Sequence, residues 1–212
     1  MTDVQKSEQL RIGRVLPVLV IEHAGHATAL GDALVKGGLT AAEVTLRTAA
    51  GLDAIKTLAG HDGLVVGAGT VLTAEQAERS IAAGAQFVVT PGFAPAVVRV
   101  CQGAGVPVFP GVATATEIQM AVDAGLEIVK FFPAQQLGGA AMIKALSAPF
   151  RGVRFIPTGG VTTALIPEYF AVPAVLAVGA TAVAPADLIA GERWDEVTTR
   201  AEQAVAAAGG AA

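Results

Sequence analysis

Apolar residues along this chain come in short unbroken runs rather than in strict alternation with polar ones. The runs cover residues 15–21, 42–46, 64–67, 86–90, 106–109, 128–132, 153–157 and 174–178. Segments of that length, rich in Val, Ile and Phe, are expected to be strands, and continuous apolar character means that both faces are covered. Between them lie Ala-rich stretches with helical spacing near 26–36, 49–59, 74–83, 94–103, 115–124, 139–147, 162–170 and 192–207. Several of these stop at glycine, as at Gly37, Gly60, Gly84, Gly103 and Gly125, the expected C-terminal signal. Eight strand–helix units in succession predict an α/β fold in which a parallel sheet, wrapped by helices, closes as a (β/α)8 TIM barrel. A doubly wound open sheet is the alternative, but it lacks its usual G-x-G-x-x-G turn after the first strand. No Pro/Ser-rich linker divides the chain. Residues 1–212 are therefore expected to form a single domain, with a short N-terminal helical extension over about residues 1–14 and a fraying Ala/Gly tail from Ala206 to Ala212.

One residue breaks the apolar pattern. Lys130 lies inside the run Ile128-Val129-Lys130-Phe131-Phe132-Pro133, where an ammonium is costly to bury. Burial disfavours the charged form of an amine, and a neutral amine is the nucleophile that forms a Schiff base with a carbonyl substrate. A lysine snorkelling at a strand end, or held in a structural ion pair, is the plainer explanation. Other strand ends supply partners. Period two along the second strand places Glu43, Thr45 and Arg47 on one side, facing the barrel interior, with Val44 and Leu46 on the other. The third strand ends at Gly67-Ala68-Gly69-Thr70 and the fourth at Pro91-Gly92. In such barrels the active site forms at the C-terminal strand ends. An amine, a carboxylate, a guanidinium and the Thr70 hydroxyl are expected to meet there. An ion-pair network that merely holds the core together competes with this reading, but buried ion pairs are weak stabilisers. After strands seven and eight come Thr158-Gly159-Gly160 and Thr181. Exposed backbone N–H groups in such turns bind phosphate, although a Gly-Gly pair also makes a simple tight turn.

Composition narrows the function classes. Hydrophobic residues make up 53% and charged residues 15% of the 212 residues, and the net charge is −4. With no Lys/Arg cluster and one Tyr and one Trp, nucleic-acid binding is not expected. No apolar run reaches the ~18 residues of a membrane span. His23, His26 and His61 do not form a metal set, since a zinc site needs three or four convergent ligands. The lone Cys101 suits a reducing cytoplasm.

Read together and in order, Glu43-Val44-Thr45-Leu46-Arg47-Thr48, Gly67-Ala68-Gly69-Thr70-Val71-Leu72, Pro91-Gly92, Lys130-Phe131-Phe132-Pro133-Ala134 and Pro157-Thr158-Gly159-Gly160 resemble the 2-keto-3-deoxy-6-phosphogluconate aldolases, which also act on 4-hydroxy-2-oxoglutarate. The resemblance runs from Pro17-Val18 to Pro185-Ala186-Asp187. It implies a class I aldolase, a carbon–carbon lyase, that needs no metal or other cofactor. Lys130 would form the Schiff base and Glu43 would shuttle protons. Arg47 and Thr70 would hold the pyruvate carboxylate, Pro91, Phe132 and Thr158 would line the pocket, and Gly159, Gly160 and Thr181 would hold the phosphate of a small 2-keto acid phosphate. It further implies a cytoplasmic homotrimer. Gln135 and Ala182 depart from the family pattern, which often carries Glu and an aromatic residue at these places. Thr158 fits the gluconate-derived substrate better than its galactonate epimer. An aldolase for that epimer, a phosphosugar isomerase or epimerase with Glu43 as base, and a non-catalytic binding barrel are the alternatives.

Overall fold

The computed structural model describes residues 12–210. The expected N-terminal extension lies, for residues 1–11, outside the described residues, as do the last two residues of the expected tail. The described part of that tail continues the final helix through Ala207, and Ala208 is buried.

The chain alternates parallel strands with helices: β1 (Val15–Leu19), α1 (Ala27–Lys36), β2 (Ala41–Thr45), α2 (Gly51–Leu58), β3 (Val65–Gly69), α3 (Ala74–Ala82), β4 (Phe87–Val89), α4 (Pro95–Gly103), β5 (Val108–Phe109), β6 (Gly111–Val112), α5 (Ala115–Asp123), β7 (Ile128–Phe131), α6 (Gly139–Ser147), β8 (Arg154–Pro157), α7 (Ile166–Phe170), β9 (Val178–Ala180), α8 (Ala186–Ala190) and α9 (Trp194–Ala207). The strands form one six-stranded sheet, ordered β5-β4-β3-β2-β1-β9, and one three-stranded sheet, ordered β6-β7-β8. Isolated parallel bridges, Phe155 to Val175 and Thr158 to Gly179, connect β8 with the run that leads into β9.

Two details differ from the apolar-run reading. Beyond the fifth run, which ends in β5, Pro110 has no N–H to give to a ladder and separates β5 from a further short strand, β6. Its carbonyl still accepts from Lys130 N at 2.8 Å, so the chain passes from one sheet to the other at that point. The eighth run pairs Val175 with Phe155, then continues past Ala177, so that the regular strand β9 lies further along than expected. The last helical stretch is α9, and a further short helix, α8, precedes it.

The two sheet faces pack differently. Helices cover the outer face with a large aliphatic core that includes Leu19, Leu34, Val44, Ile55, Val88 and Val129. The inner face carries a smaller cluster of Leu16, Ala41, Phe87, Val89, Phe109, Ile128, Ile156 and Ala177. The Phe87 and Phe109 rings lie 5.6 Å apart between centroids and fill its width. Successive side chains on a strand alternate between faces, so two residues beyond an inner apolar position the chain faces inward again. From Ala41 that step reaches Glu43, from Ile128 it reaches Lys130, from Ile156 Thr158, and from Ala177 Gly179. The apolar inner layer is thus a floor, and the next layer towards the C-terminal strand ends is polar or glycine.

Local signals hold the helices that follow. Thr114 and Glu117 form a reciprocal capping box at the start of α5, and the Thr73 hydroxyl accepts from Gln76 N at the start of α3.

Candidate active site

Lys130 and Glu43 are the two charged side chains of the polar inner layer that are buried, at 5% and 1% exposure. Lys130 Nζ lies 3.3 Å from Glu43 Oε1. Register brings them there. On β7 Lys130 is paired with Gly111 on one side and Ile156 on the other, while on β2 Glu43 sits between Val18 and Gly67. Glu43 has room because β3 offers glycine beside it. A Cβ placed on Gly69 would overlap the Glu43 carboxyl and lie 2.7 Å from its Cδ. A single methyl there would push the carboxylate off the lysine. Gly69 was not a candidate from the sequence, where Gly67-Ala68-Gly69 reads as a strand end. Glycine inside a strand does mark close approach by another group, and that is the signal that finds it.

The remaining candidates fall into three groups. Phe132 projects its ring towards the amine, with Lys130 Nζ 5.2 Å from the ring centroid, and is one of the exposed large apolar side chains. Thr158 is buried, and a Cβ on Gly179 would strike its hydroxyl, so the tops of β8 and β9 meet closely there. Pro91 and Thr70 are half-buried on the neighbouring strand ends. Thr70 has φ 55, a left-handed backbone that a β-branched residue rarely adopts, and such strain clusters at functional sites. These residues lie at the C-terminal ends of their own strands, Thr70 and Pro91 on the six-stranded sheet and Phe132 and Thr158 on the sheet that carries Lys130.

Gly159 and Gly160, with φ 102 and 74, turn the chain at the end of β8 where only glycine is unstrained. They lie against the segment that follows Lys130. Ala134 N donates to Thr158 O at 2.8 Å and Gln135 N to Gly159 O at 3.0 Å. Thr181 is exposed in the turn after β9.

Arg47 does not meet the expectation, whereas Thr45 is buried on β2 in phase with Glu43. β2 ends at Thr45, so period two no longer applies at Arg47, which is exposed in the following turn. That turn is tied back to the first strand instead: Thr45 donates to Leu19 O at 2.9 Å and Thr48 donates to Ile21 O. Arg47 makes no ion pair with a described residue and stands at the rim rather than beside the Lys130–Glu43 pair. The contact at the floor of the site is therefore between two charged groups, not three.

Gln135 shows what its departure from the family pattern does locally. Its side-chain oxygen accepts from the Tyr169 hydroxyl at 3.0 Å. Tyr169 was not a candidate from the sequence; nothing local to α7 points to a residue 34 positions away.

Among the described residues no group of three or more His, Cys, Asp or Glu side chains is placed to hold a metal ion. None of the helices among them is long and apolar enough to cross a membrane. His23 and His26 stack edge to face, and His26 lies 3.6 Å from Glu192 at the start of α1.

A buried amine within hydrogen-bonding reach of a carboxylate, at the C-terminal ends of parallel strands, defines a site equipped for covalent amine chemistry on a carbonyl. The family model described as "Aldolase: KDPG and KHG aldolase" matches residues 6–200. A 2-dehydro-3-deoxy-phosphogluconate aldolase of Treponema pallidum is 48% identical over 92% of this chain and 94% of its own. Among solved structures, a 2-keto-3-deoxy-6-phosphogluconate aldolase of Zymomonas mobilis with 3-phosphoglycerate superposes with a TM-score of 0.87 at 40% identity, covering 94% of each chain. A KDPG aldolase of Legionella pneumophila, with pyruvate captured as a covalent carbinolamine, superposes with a TM-score of 0.88 at 36% identity over 93% of this chain and 97% of that one. The chain belongs to the KDPG and KHG aldolase family. It is an aldolase, a carbon–carbon lyase.

Proposed function

We propose that this protein is a class I aldolase that cleaves 2-keto-3-deoxy-6-phosphogluconate to pyruvate and glyceraldehyde 3-phosphate, and 4-hydroxy-2-oxoglutarate to pyruvate and glyoxylate, with Lys130 as the Schiff-base lysine. The observation that carries this reading is the buried Lys130–Glu43 contact of 3.3 Å in a chain of this family. A relative that holds pyruvate as a carbinolamine, and another seen with 3-phosphoglycerate, support both halves of the substrate.

The Lys130 ammonium passes a proton to Glu43, and the neutral amine attacks the C2 carbonyl carbon. Glu43 gives that proton to the new oxygen, then carries a second proton from the attached nitrogen to the carbinolamine hydroxyl, which leaves as water to give a protonated imine. The C3–C4 bond then breaks. Its electron pair flows into the imine to form the enamine of pyruvate, while the C4 hydroxyl proton passes to Glu43 and the aldehyde leaves. Glu43 returns that proton to C3 of the enamine. Water then adds to the imine carbon, and collapse of the carbinolamine frees pyruvate and restores the amine. Phe132, Pro91 and Thr158 wall this space. Thr70, with Arg47 reaching in from the rim, binds the pyruvate carboxylate. The N–H groups of Gly159 and Gly160, with the Thr181 hydroxyl, receive the phosphate. Thr158 favours the gluconate-derived substrate over its galactonate epimer. No metal or other cofactor takes part in this scheme.

The same reading takes the two sheets as arcs of one closed (β/α)8 barrel in a single domain. The β9–β1 pairing, the bridges from β8 towards β9 and the chain continuity through Pro110 support it. Exposed Leu72, Met120, Val122 and Met142 favour subunit contacts, in keeping with a homotrimer, and the lone cysteine favours a cytoplasmic protein.

Borohydride reduction in the presence of pyruvate, followed by peptide mapping, tests the reading. A reduced pyruvate adduct on Lys130 is the expected result. Folded protein that gains no adduct with pyruvate in excess would refute the mechanism.

A further inference from the structure

The two sheets meet at Pro110, and one side chain bridges the seam. Thr90, fully buried, follows β4. Up to that point β4 and β5 share a regular ladder, in which Val88 N donates to Pro107 O at 2.9 Å and Thr90 N to Phe109 O at 3.3 Å. The next rung is a side chain. Gly111 N, on the far side of Pro110, donates to the Thr90 hydroxyl at 3.3 Å, and that hydroxyl donates in turn to Gly92 O at 2.6 Å. One hydroxyl thus serves a donor on β6 and an acceptor in the turn after β4. The turn carries Pro91. A Cβ placed on Gly111 would overlap the Pro91 carbonyl and lie 2.6 Å from Gly92 N, so glycine at this place lets the Pro91 peptide rest directly on β6. Gly111 is the ladder neighbour of Lys130, and Lys130 N donates to Pro110 O at 2.8 Å. From the Thr90 hydroxyl to the lysine-bearing strand there is only backbone.

We propose that Thr90 is a positioning residue for the Schiff-base step: its hydroxyl fixes the Pro91 wall against the strand of Lys130, and so places the substrate carbonyl relative to the amine. The proposal rests on the reading of Lys130 as the Schiff-base lysine and of Pro91 as a wall of its pocket. Without the hydroxyl, the buried Gly111 N–H loses its partner, and the turn after β4 loses its tie to β6. A misplacement of ~1 Å costs about 100-fold in a reaction that depends on orientation. The loss falls on the rate of attack rather than on the affinity for pyruvate, because the carboxylate is held from other strand ends.

Three variants isolate the hydroxyl. Thr90→Val keeps the shape and removes the hydroxyl; Thr90→Ser keeps the hydroxyl and removes the methyl; Thr90→Ala removes both. The readouts are the maximal rate of borohydride-trapped adduct formation with pyruvate, the pyruvate concentration at half that rate, and Tm, with rates taken well below every Tm. Thr90→Val and Thr90→Ala are expected to lower the maximal rate at least about tenfold and to move the half-saturating concentration less than about twofold. Thr90→Ser is expected to stay within about twofold of the wild-type rate, although it loses a buried methyl and with it some Tm. A threonine that only supports the fold predicts another order, with rate following Tm and the serine variant as slow as the alanine one. Should Thr90→Val not fold, the serine and alanine variants make the same comparison, since they differ only in the hydroxyl. In a Pro91→Ala background the loss caused by Thr90→Val should shrink, because both changes act on one wall. Equal maximal rates for the serine and alanine variants, or a loss undiminished in the Pro91→Ala background, would overturn the proposal. No adduct on Lys130 of the wild type would refute the Schiff-base reading and take this proposal with it. An adduct on the wild type, with the serine and alanine variants alike, removes only the role of Thr90.

Discussion

Glu43 and Lys130 stand 87 residues apart in the chain and 3.3 Å apart in space. Each is the sole charged step on its own strand's inner face, and neither has another ion-pair partner among the described residues. The consequences of removing one or the other differ. Lys130→Ala removes the nucleophile and is expected to abolish both turnover and the borohydride-trapped adduct. It also leaves Glu43 buried without its partner, at a cost of about 3–5 kcal/mol. Glu43→Gln keeps the volume and a hydrogen-bonding group but cannot carry protons. Imine formation with pyruvate should persist at a reduced rate, while kcat falls by about 10²–10⁴-fold. Single-turnover trapping beside steady-state assays checks the split. Equal loss of both in Glu43→Gln would mean that the carboxylate only positions the amine.

Gly69 gives the pair its space, and that has a direct consequence. Gly69→Ala should displace the Glu43 carboxyl, because the new Cβ would lie 2.7 Å from Glu43 Cδ. The expected effect is overpacking of about 1–3 kcal/mol, read as a lower denaturation midpoint with an unchanged slope. Turnover should fall by at least about 100-fold, of the order of a lost proton-transfer group. A variant that keeps wild-type kcat would show that the carboxylate can stand elsewhere and still act.

Much of this site was legible in the sequence because its chemistry contradicts its surroundings. A lysine in an apolar run, and a glutamate in phase with it on another strand, are visible without coordinates. Arg47 was misplaced because alternation was extended two residues past Thr45, where hydroxyl bonds to the first strand have already turned the chain. The short strand β6 was missed because it lies beyond Pro110, whereas the apolar run ends at Phe109. Gly69 and the Tyr169–Gln135 contact were illegible for another reason. The first is a property of space next to a neighbouring strand, and the second joins residues 34 apart through the tertiary fold. Local periodicity carries neither.

Thr70 offers a trade between stability and activity. Its φ of 55 costs a β-branched residue about 1–3 kcal/mol. Asn tolerates that backbone far better. Thr70→Asn is therefore expected to raise Tm by about 2–4 °C, the shift that ~1 kcal/mol gives a chain of this size. The hydroxyl and its geometry are lost at the strand end, so KM for pyruvate in the trapping reaction should rise. Calorimetry and adduct kinetics on the same preparation test both halves. A variant with a lower Tm and an unchanged KM would mean that the strain is relieved by contacts specific to threonine and has no link to the site.

Cys101 makes alkaline stability predictable. It lies fully buried on α4, and burial pushes its thiol from 9.0 up to about 11. Between those values the unfolded chain has released the thiol proton and the native chain has kept it. The unfolded state then binds fewer protons, so stability falls as pH rises. The contribution is fully present below about pH 9 and is lost progressively through about pH 11, by roughly 3 kcal/mol in all. The Tyr169 phenol, also raised by burial, adds to the loss at the upper end of the window. Cys101→Ala removes the thiol and leaves every other titrating group in place. Its stability should decline less steeply than that of the wild type between pH 9 and 11, whatever its absolute value at pH 7. Iodoacetamide at pH 8 should label the wild-type thiol only as denaturant opens the fold. Parallel pH profiles for the two proteins, or rapid labelling of the native enzyme, would show that the thiol is not held neutral by the packing around α4.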